Sequence, residues 1–179
     1  MIEDIEQVLY TEQQIAERVS VLGKRIHTDY LGKKLLLIGT LKGAFLFMAD
    51  LARAINLPME IDFISASSYG NGTTSQGLIH IRKDLDHSPK GYHALIVEDI
   101  VDSGRTLSYL TENLRSQHVA SVEVCTFLDK PSGRAVSFEP KYAGFTIPGG
   151  FVVGYGMDYA EKYRNLPFVG LLKRKIYEK

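Results

Sequence analysis

One cysteine, Cys125, is all the thiol chemistry that this chain of 179 residues carries. An intramolecular disulfide is therefore excluded, and a reducing, cytoplasmic setting is the expectation. Cys125 falls inside the apolar run Val122 to Leu128 with no basic neighbour, so it reads as a buried structural thiol rather than a nucleophile. Charge of one sign is also lacking: 21 Lys and Arg stand against 21 Asp and Glu. A general grip on nucleic acid needs a basic surplus, so no nucleic-acid partner is expected. No apolar run approaches the roughly 18 residues of a membrane span, so no membrane partner is expected either. The opening MIEDIEQVLY is acidic and lacks the basic-then-apolar order of a secretory signal. His80 and His87 lack metal-ligand spacing, and His27, His93 and His118 have no visible nucleophile beside them. There is no internal repeat. What remains, 45% apolar and 23% charged residues, is the composition of an ordinary soluble enzyme of one domain.

The elements alternate. Residues 11–30 predict a helix: Thr11 and Gln14 make a capping box, and Ile15, Val19, Leu22 and Ile26 form one stripe. Buried strands are expected at 34–39, 59–65, 94–97 and 122–128, with helices at 44–54 and 107–117 between them. A far-side strand is expected at 79–81. Short last strands are expected at 142–145 and 151–154, around the turn Pro148-Gly149-Gly150. Residues 67–77, SSYGNGTTSQG, read as a long flexible excursion. Buried strands separated by amphipathic helices predict an α/β fold, a mainly parallel sheet covered on both faces. Ligands of such sheets bind beyond the carboxyl ends of the strands, where the strand order switches. Loops 40–43, 98–106 and 129–134 occupy that position and are predicted to converge.

The stretch ALIVEDIVDSGRT, 94–106, is the most telling. A buried strand is followed by two acids, Glu98 and Asp99, and then by Asp102-Ser103-Gly104-Arg105-Thr106 opening a helix. Backbone N–H groups at a helix start, a glycine for the tight turn and two hydroxyls make an anion cradle. Acids beside a phosphate repel it unless they hold something else, and sugar hydroxyls, directly or through Mg²⁺, meet that need. A phosphorylated sugar is the expected ligand. Asp102 has two readings, a helix N-cap or a proton acceptor facing the reacting group. Arg105 either neutralises the phosphate or points to solvent. Lys42, in Leu41-Lys42-Gly43, either meets a second phosphate or is a surface lysine. Gly43 permits close approach of backbone to ligand. Lys130 is favoured over Arg134 as a ligand donor. Phe151 is either a core residue of an alternating strand or an exposed ring that stacks on a base.

With these residues laid out, the chain resembles the hypoxanthine-guanine phosphoribosyltransferases over about residues 8–172. VEDIVDSGRT at 97–106 matches their phosphoribosyl-pyrophosphate signature. LKG at 41–43, SSYGN at 67–71, DKPSGR at 129–134, FVVGYGMDY at 151–159 and YRNLP at 163–167 match further family segments. The last two clusters point to the 6-oxopurine branch.

The resemblance implies a single domain with a core at about 30–135. A small hood comes from about 1–12 and 136–179, and a mobile lid includes Ser68 and Tyr69. It implies that Glu98 and Asp99 bind the ribose hydroxyls, in part through Mg²⁺, and that Ser103, Gly104, Arg105 and Thr106 hold the 5′-phosphate. Asp102 would lie beside purine N7 and take part in its proton transfer. Leu41, Lys42 and Gly43 would bind pyrophosphate, often with a cis peptide before the lysine, and Arg164 would contact it too. Lys130 would donate to O6, Phe151 would stack on the base, and Val152 would meet it through its backbone. Asp158 would bind a second Mg²⁺. The implied activity is purine salvage: transfer of the 5-phosphoribosyl group from phosphoribosyl pyrophosphate to N9 of hypoxanthine or guanine, giving IMP or GMP and pyrophosphate. A homodimer or homotetramer is implied as well. Two departures stand out. Gly150 precedes the stacking aromatic where some relatives have lysine, and Ser103 replaces a frequent threonine while keeping the hydroxyl. Two alternatives stay open: a xanthine-preferring phosphoribosyltransferase, and a nucleotide-sensing RNA-binding regulator on the same fold.

Overall fold

A computed structural model describes residues 1–68 and 79–178 of the chain. Strands β1 (Ile5–Tyr10), β2 (Leu35–Thr40), β3 (Met59–Ser68), β4 (Ile79–Lys83) and β5 (His93–Val101) are followed by β6 (Ser121–Asp129), β7 (Tyr142–Thr146), β8 (Val152–Val153) and β9 (Val169–Leu172). The helices are α1 (Glu12–Tyr30), α2 (Phe45–Ala54), α3 (Arg105–Ser116) and the one-turn α4 (Arg174–Tyr177).

Six strands form the central sheet in the order β4-β3-β2-β5-β6-β7. Only β4 runs antiparallel to its neighbour. The order reverses between β2 and β5, so the expected switch point lies where their carboxyl ends meet. The pleat divides the apolar strands between two cores. Leu35 and Leu37 of β2 pack with Leu95, Val97, Cys125 and Phe127 under α1 and α2. Leu36 and Ile38 pack with Ala94, Ile96, Val122 and Val124 under α3. Leu107, Leu110 and Leu114 seal α3 to that face, each worth about 1.5–3 kcal/mol of burial. The capping box at Thr11 and Gln14 is present, and Ile15, Val19, Leu22 and Ile26 are the buried stripe of α1.

Three corrections follow. β5 does not end at Val97 but pairs with β6 through Val101↔Asp129, so Glu98 and Asp99 lie within a strand rather than after it. The strands at 142–146 and 152–153 are not partners. β7 joins the central sheet beside β6, while β8 joins a separate three-stranded sheet ordered β1-β9-β8. The core thus extends past residue 135 to the end of β7, and the hood begins after it. Neither β1 nor β9 was expected as a strand; they pair antiparallel across the chain, Ile5 opposite Leu172. The expected lid falls mostly outside the described residues. Ser68 closes β3, and Tyr69 lies outside them.

Candidate functional site

The loop between β5 and α3 turns at Gly104, whose φ of 77° is left-handed and so suits glycine. Ser108 N donates to Gly104 O at 2.9 Å and sets the helix going. The first-turn N–H groups of any helix lack intrahelical acceptors, and here they face a cavity of about 280 Å³. Ser103, Gly104, Thr106, Glu98, Asp99, Leu41 and Gly43 are among the residues that line it. Arg105, at the first position of α3, is exposed and is not among the residues that line it.

The two acids differ in setting. Thr40 Oγ1 donates to Glu98 Oε1 at 2.7 Å, and Asp99 N donates to the same atom at 3.1 Å. Burial, and then the neighbouring Asp99 carboxylate, push the Glu98 carboxyl well above its ordinary range. Asp99 Oδ1 accepts from Ile100 N at 2.9 Å. A Cβ built on Gly43 would stand 1.8 Å from Asp99 Oδ2. Gly43 therefore makes room for the Asp99 carboxylate, not only for a ligand.

A second cavity, about 230 Å³, opens beside the carboxyl ends of β5 and β6. Asp99, Ile100 and Asp102 border both cavities. Lys130, Gly150, Phe151, Val152, Met157 and Asp158 complete the second one. Lys130 Nζ stands 3.1 Å from Asp102 Oδ2. Asp102 is not the helix cap, because Gly104 occupies that position without a side-chain bond. Phe151 is half-buried: its ring lies 5.0 Å from the Tyr177 ring in a stacked arrangement and meets Tyr159 edge-on at 5.4 Å. The ring is packed against aromatics as a core residue would be, and it also lines the cavity. An anion cradle and an aromatic-walled pocket thus share one acidic border.

The sequence profile described as "Phosphoribosyl transferase domain" matches residues 7–160. The chain belongs to the phosphoribosyl transferase family. A hypoxanthine-guanine phosphoribosyltransferase of Bacillus subtilis is 51% identical over 175 residues, covering 98% of this chain and 97% of that protein. The bifunctional protein TilS/HprT of Listeria innocua is 51% identical over 174 residues, 97% of this chain. The chain spans only 27% of the length of that bifunctional relative. The crystal structure of a hypoxanthine phosphoribosyltransferase from Staphylococcus aureus superposes with a TM-score of 0.97 at 46% identity, covering 100% of this chain and 97% of that one.

For a phosphoribosyl transferase, the loop after β2 is the remaining landmark. The Leu41–Lys42 peptide is cis, as the resemblance implied. Lys42 is exposed, and its Nζ lies 3.0 Å from Glu161 Oε2. Arg164 NH2 lies 2.8 Å from Asp158 Oδ1 and 3.5 Å from Glu161 Oε2, while its NH1 donates to Gly156 O at 2.8 Å. The Glu161 carboxyl is held below its ordinary value by Lys42, with Arg164 adding to it. Gly156, at φ 101°, packs onto the loop after β2; a Cβ there would stand 2.0 Å from Gly43 O.

Sequence reasoning passed over four residues. Ile100 and Met157 line the aromatic-walled cavity. A Cβ on Gly133 would stand 1.4 Å from Asp102 Oδ1, so this glycine admits the Asp102 carboxylate. Glu161 joins the cations. Only Gly133 carried a signal, being a glycine between two basic residues at a strand end. Arg134, left open before, is structural: it donates to Val101 O, Asp102 O and Phe138 O at 2.7–2.9 Å and pairs with Asp129.

Among the described residues no three His, Cys, Asp or Glu side chains gather into a cage for a metal ion. The acids do suit Mg²⁺ of another kind. That ion takes one or two carboxylates, keeps waters and fills its shell with substrate phosphates. Asp99, seated against a glycine on the border of both cavities, has the right chemistry for it.

Proposed function

We propose that the chain transfers the 5-phosphoribosyl group of phosphoribosyl pyrophosphate to N9 of a 6-oxopurine, hypoxanthine or guanine, and releases pyrophosphate. One observation supports this above the rest: the Lys130–Asp102 pair stands where the aromatic-walled pocket meets the anion cradle. A 6-oxopurine presents an acceptor, O6, and a protonatable N7 on one edge. Lys130 donates to O6, and Asp102 receives the N7 proton as N9 bonds to the sugar. Adenine offers a donor at C6 to a donor. A site built for one hydrogen-bond pattern rejects such an analogue by on the order of 10⁴.

Phe151 carries the face of the base, and Val152 meets its edge through backbone atoms. The 5′-phosphate sits on the α3 N-terminus with Ser103, Gly104 and Thr106. Glu98 and Asp99 hold the ribose hydroxyls and, as the glycosidic bond lengthens, balance the positive charge that grows on the sugar. Lys42 and Arg164 receive the departing pyrophosphate. Glu98 and Asp99 would hold one Mg²⁺ in part through its waters, and Asp158 a second one carried by pyrophosphate; the ions would supply further charge neutralisation on the leaving group. A cytoplasmic dimer or tetramer goes with this reading.

The test is pyrophosphate release by the purified protein with Mg²⁺, phosphoribosyl pyrophosphate and each of hypoxanthine, guanine, xanthine and adenine. Release with the first two supports the reading. Release with xanthine alone moves the assignment to that base, a point on which Gly150 bears because it borders the base cavity. No release with any base, together with salt-sensitive RNA binding, would reverse it in favour of a regulator.

A further inference from the structure

Glu161 has no part in the scheme above, yet its carboxylate stands between the two cations assigned to pyrophosphate. Its Oε2 is 3.0 Å from Lys42 Nζ and 3.5 Å from Arg164 NH2. The backbone is arranged for this. Ala160 and Glu161 have φ of 50° and 61°, in the left-handed region that residues with a Cβ rarely enter. A Cβ crowds the following carbonyl in that conformation, so each such residue carries a steric cost. The turn is closed by Tyr159 and Lys162, which exchange both backbone bonds, at 3.2 and 3.0 Å. Asp158 Oδ2 accepts from Glu161 N at 2.8 Å and fixes the turn to the site. The Lys42–Glu161 pair is two-thirds exposed on both sides. A pair so placed adds little to stability, so it does not offset the strained turn. Strain held against so small a gain marks a segment shaped for its function.

We propose that Glu161 is a built-in competitor of pyrophosphate. It holds Lys42 and Arg164 before substrate arrives, yields them to the more highly charged pyrophosphate group, and returns to them as pyrophosphate leaves. The inference rests on the reading of Lys42 and Arg164 as pyrophosphate ligands. Its consequence is faster product release, a step that limits turnover in many enzymes.

Calorimetric titration of the whole protein with pyrophosphate and Mg²⁺ tests it, with titration by IMP as the control ligand. Glu161→Gln should tighten pyrophosphate binding about fivefold, in the range expected when one contact competing with a ligand is removed. Glu161→Ala should do the same, and IMP affinity should not move. Unchanged or weakened pyrophosphate binding in both variants overturns the proposal. Equal tightening of IMP also overturns it, since the effect would then be a general change of surface charge. A separate titration of Lys42→Ala checks the ground beneath. If that variant binds pyrophosphate as well as the wild type, the reading of Lys42 fails first; if it binds worse while the Glu161 variants are silent, only the competitor role fails.

Discussion

Gly43→Ala isolates one spatial requirement of the site. The φ of Gly43 lies outside the left-handed region, so alanine meets no backbone penalty there. The obstacle is Asp99, since the new methyl group would stand 1.8 Å from its Oδ2 and 2.4 Å from its Cγ. Ordinary contact requires the carboxylate to retreat by on the order of 1 Å or more. That retreat pulls on the bond by which Ile100 N holds Oδ1 at 2.9 Å. The side chain can swing into the neighbouring cavity, so the stability cost should be modest, about 1–2 kcal/mol. Catalysis should suffer more. A reacting group displaced by about 1 Å costs on the order of 100-fold, which is about 2.7 kcal/mol of transition-state stabilisation. Steady-state assays with phosphoribosyl pyrophosphate varied at saturating Mg²⁺ should show that loss in kcat/KM, and thermal unfolding should show a folded protein. Gly91→Ala is the control: its Cβ meets nothing within 4 Å, and its φ of 80° confines the damage to stability. A folded Gly43→Ala enzyme within about threefold of native kcat/KM would refute the claim that Asp99 must sit where it does.

Asp102→Asn should lower turnover more than it raises KM for phosphoribosyl pyrophosphate, because asparagine cannot take the N7 proton; unchanged turnover in the folded variant removes Asp102 from the chemistry. Tyr177→Ala should raise KM for the base about two- to tenfold with kcat kept, since a stacked aromatic pair is worth roughly 0.5–1.5 kcal/mol and Tyr177 braces Phe151; Tyr177→Phe should restore it, and an unmoved KM in the alanine variant ends that account. Asp62 gives a pH signature. Burial works to raise its carboxyl, but the N–H groups of Asp86 and Phe63 and the Lys83 ammonium outweigh it and hold it below its ordinary 3.8. Its contribution to stability is therefore present above 3.8 and lost as pH falls through the lowered value. Urea unfolding should find Asp62→Asn weaker by about 1–2 kcal/mol at pH 7, with the gap closing below that point; a gap that stays constant down to strongly acid pH contradicts the linkage.

Local pattern by itself settled the buried strands β2 and β6, the helices between the strands, the capping box of α1 and the turn at Gly104; it placed β3 and β5, but β3 is largely half-exposed, Ile61 among its exposed residues, and β5 runs on to Val101. In each case the determining residues are chain neighbours: apolar period, a helix-start hydroxyl, a residue free to take positive φ. The motif 97–106 likewise carried the loop between β5 and α3, because one strand, one turn and one helix start suffice to build it. Local pattern could not supply β1 and β9, whose pairing joins Ile5 to Leu172, nor the membership of β7 and β8 in different sheets. Short strands have little signal of their own, and their partners are chosen only when distant segments meet. The same limit hid the Lys42–Glu161 pair, 119 residues apart, and the nesting of Asp99 against Gly43 and of Asp102 against Gly133. Sequence thus determined which groups were available near the switch between β2 and β5. Tertiary structure decided which of them touch, because contact between carboxylate, glycine and cation is a matter of ångströms fixed by packing and not by spacing along the chain.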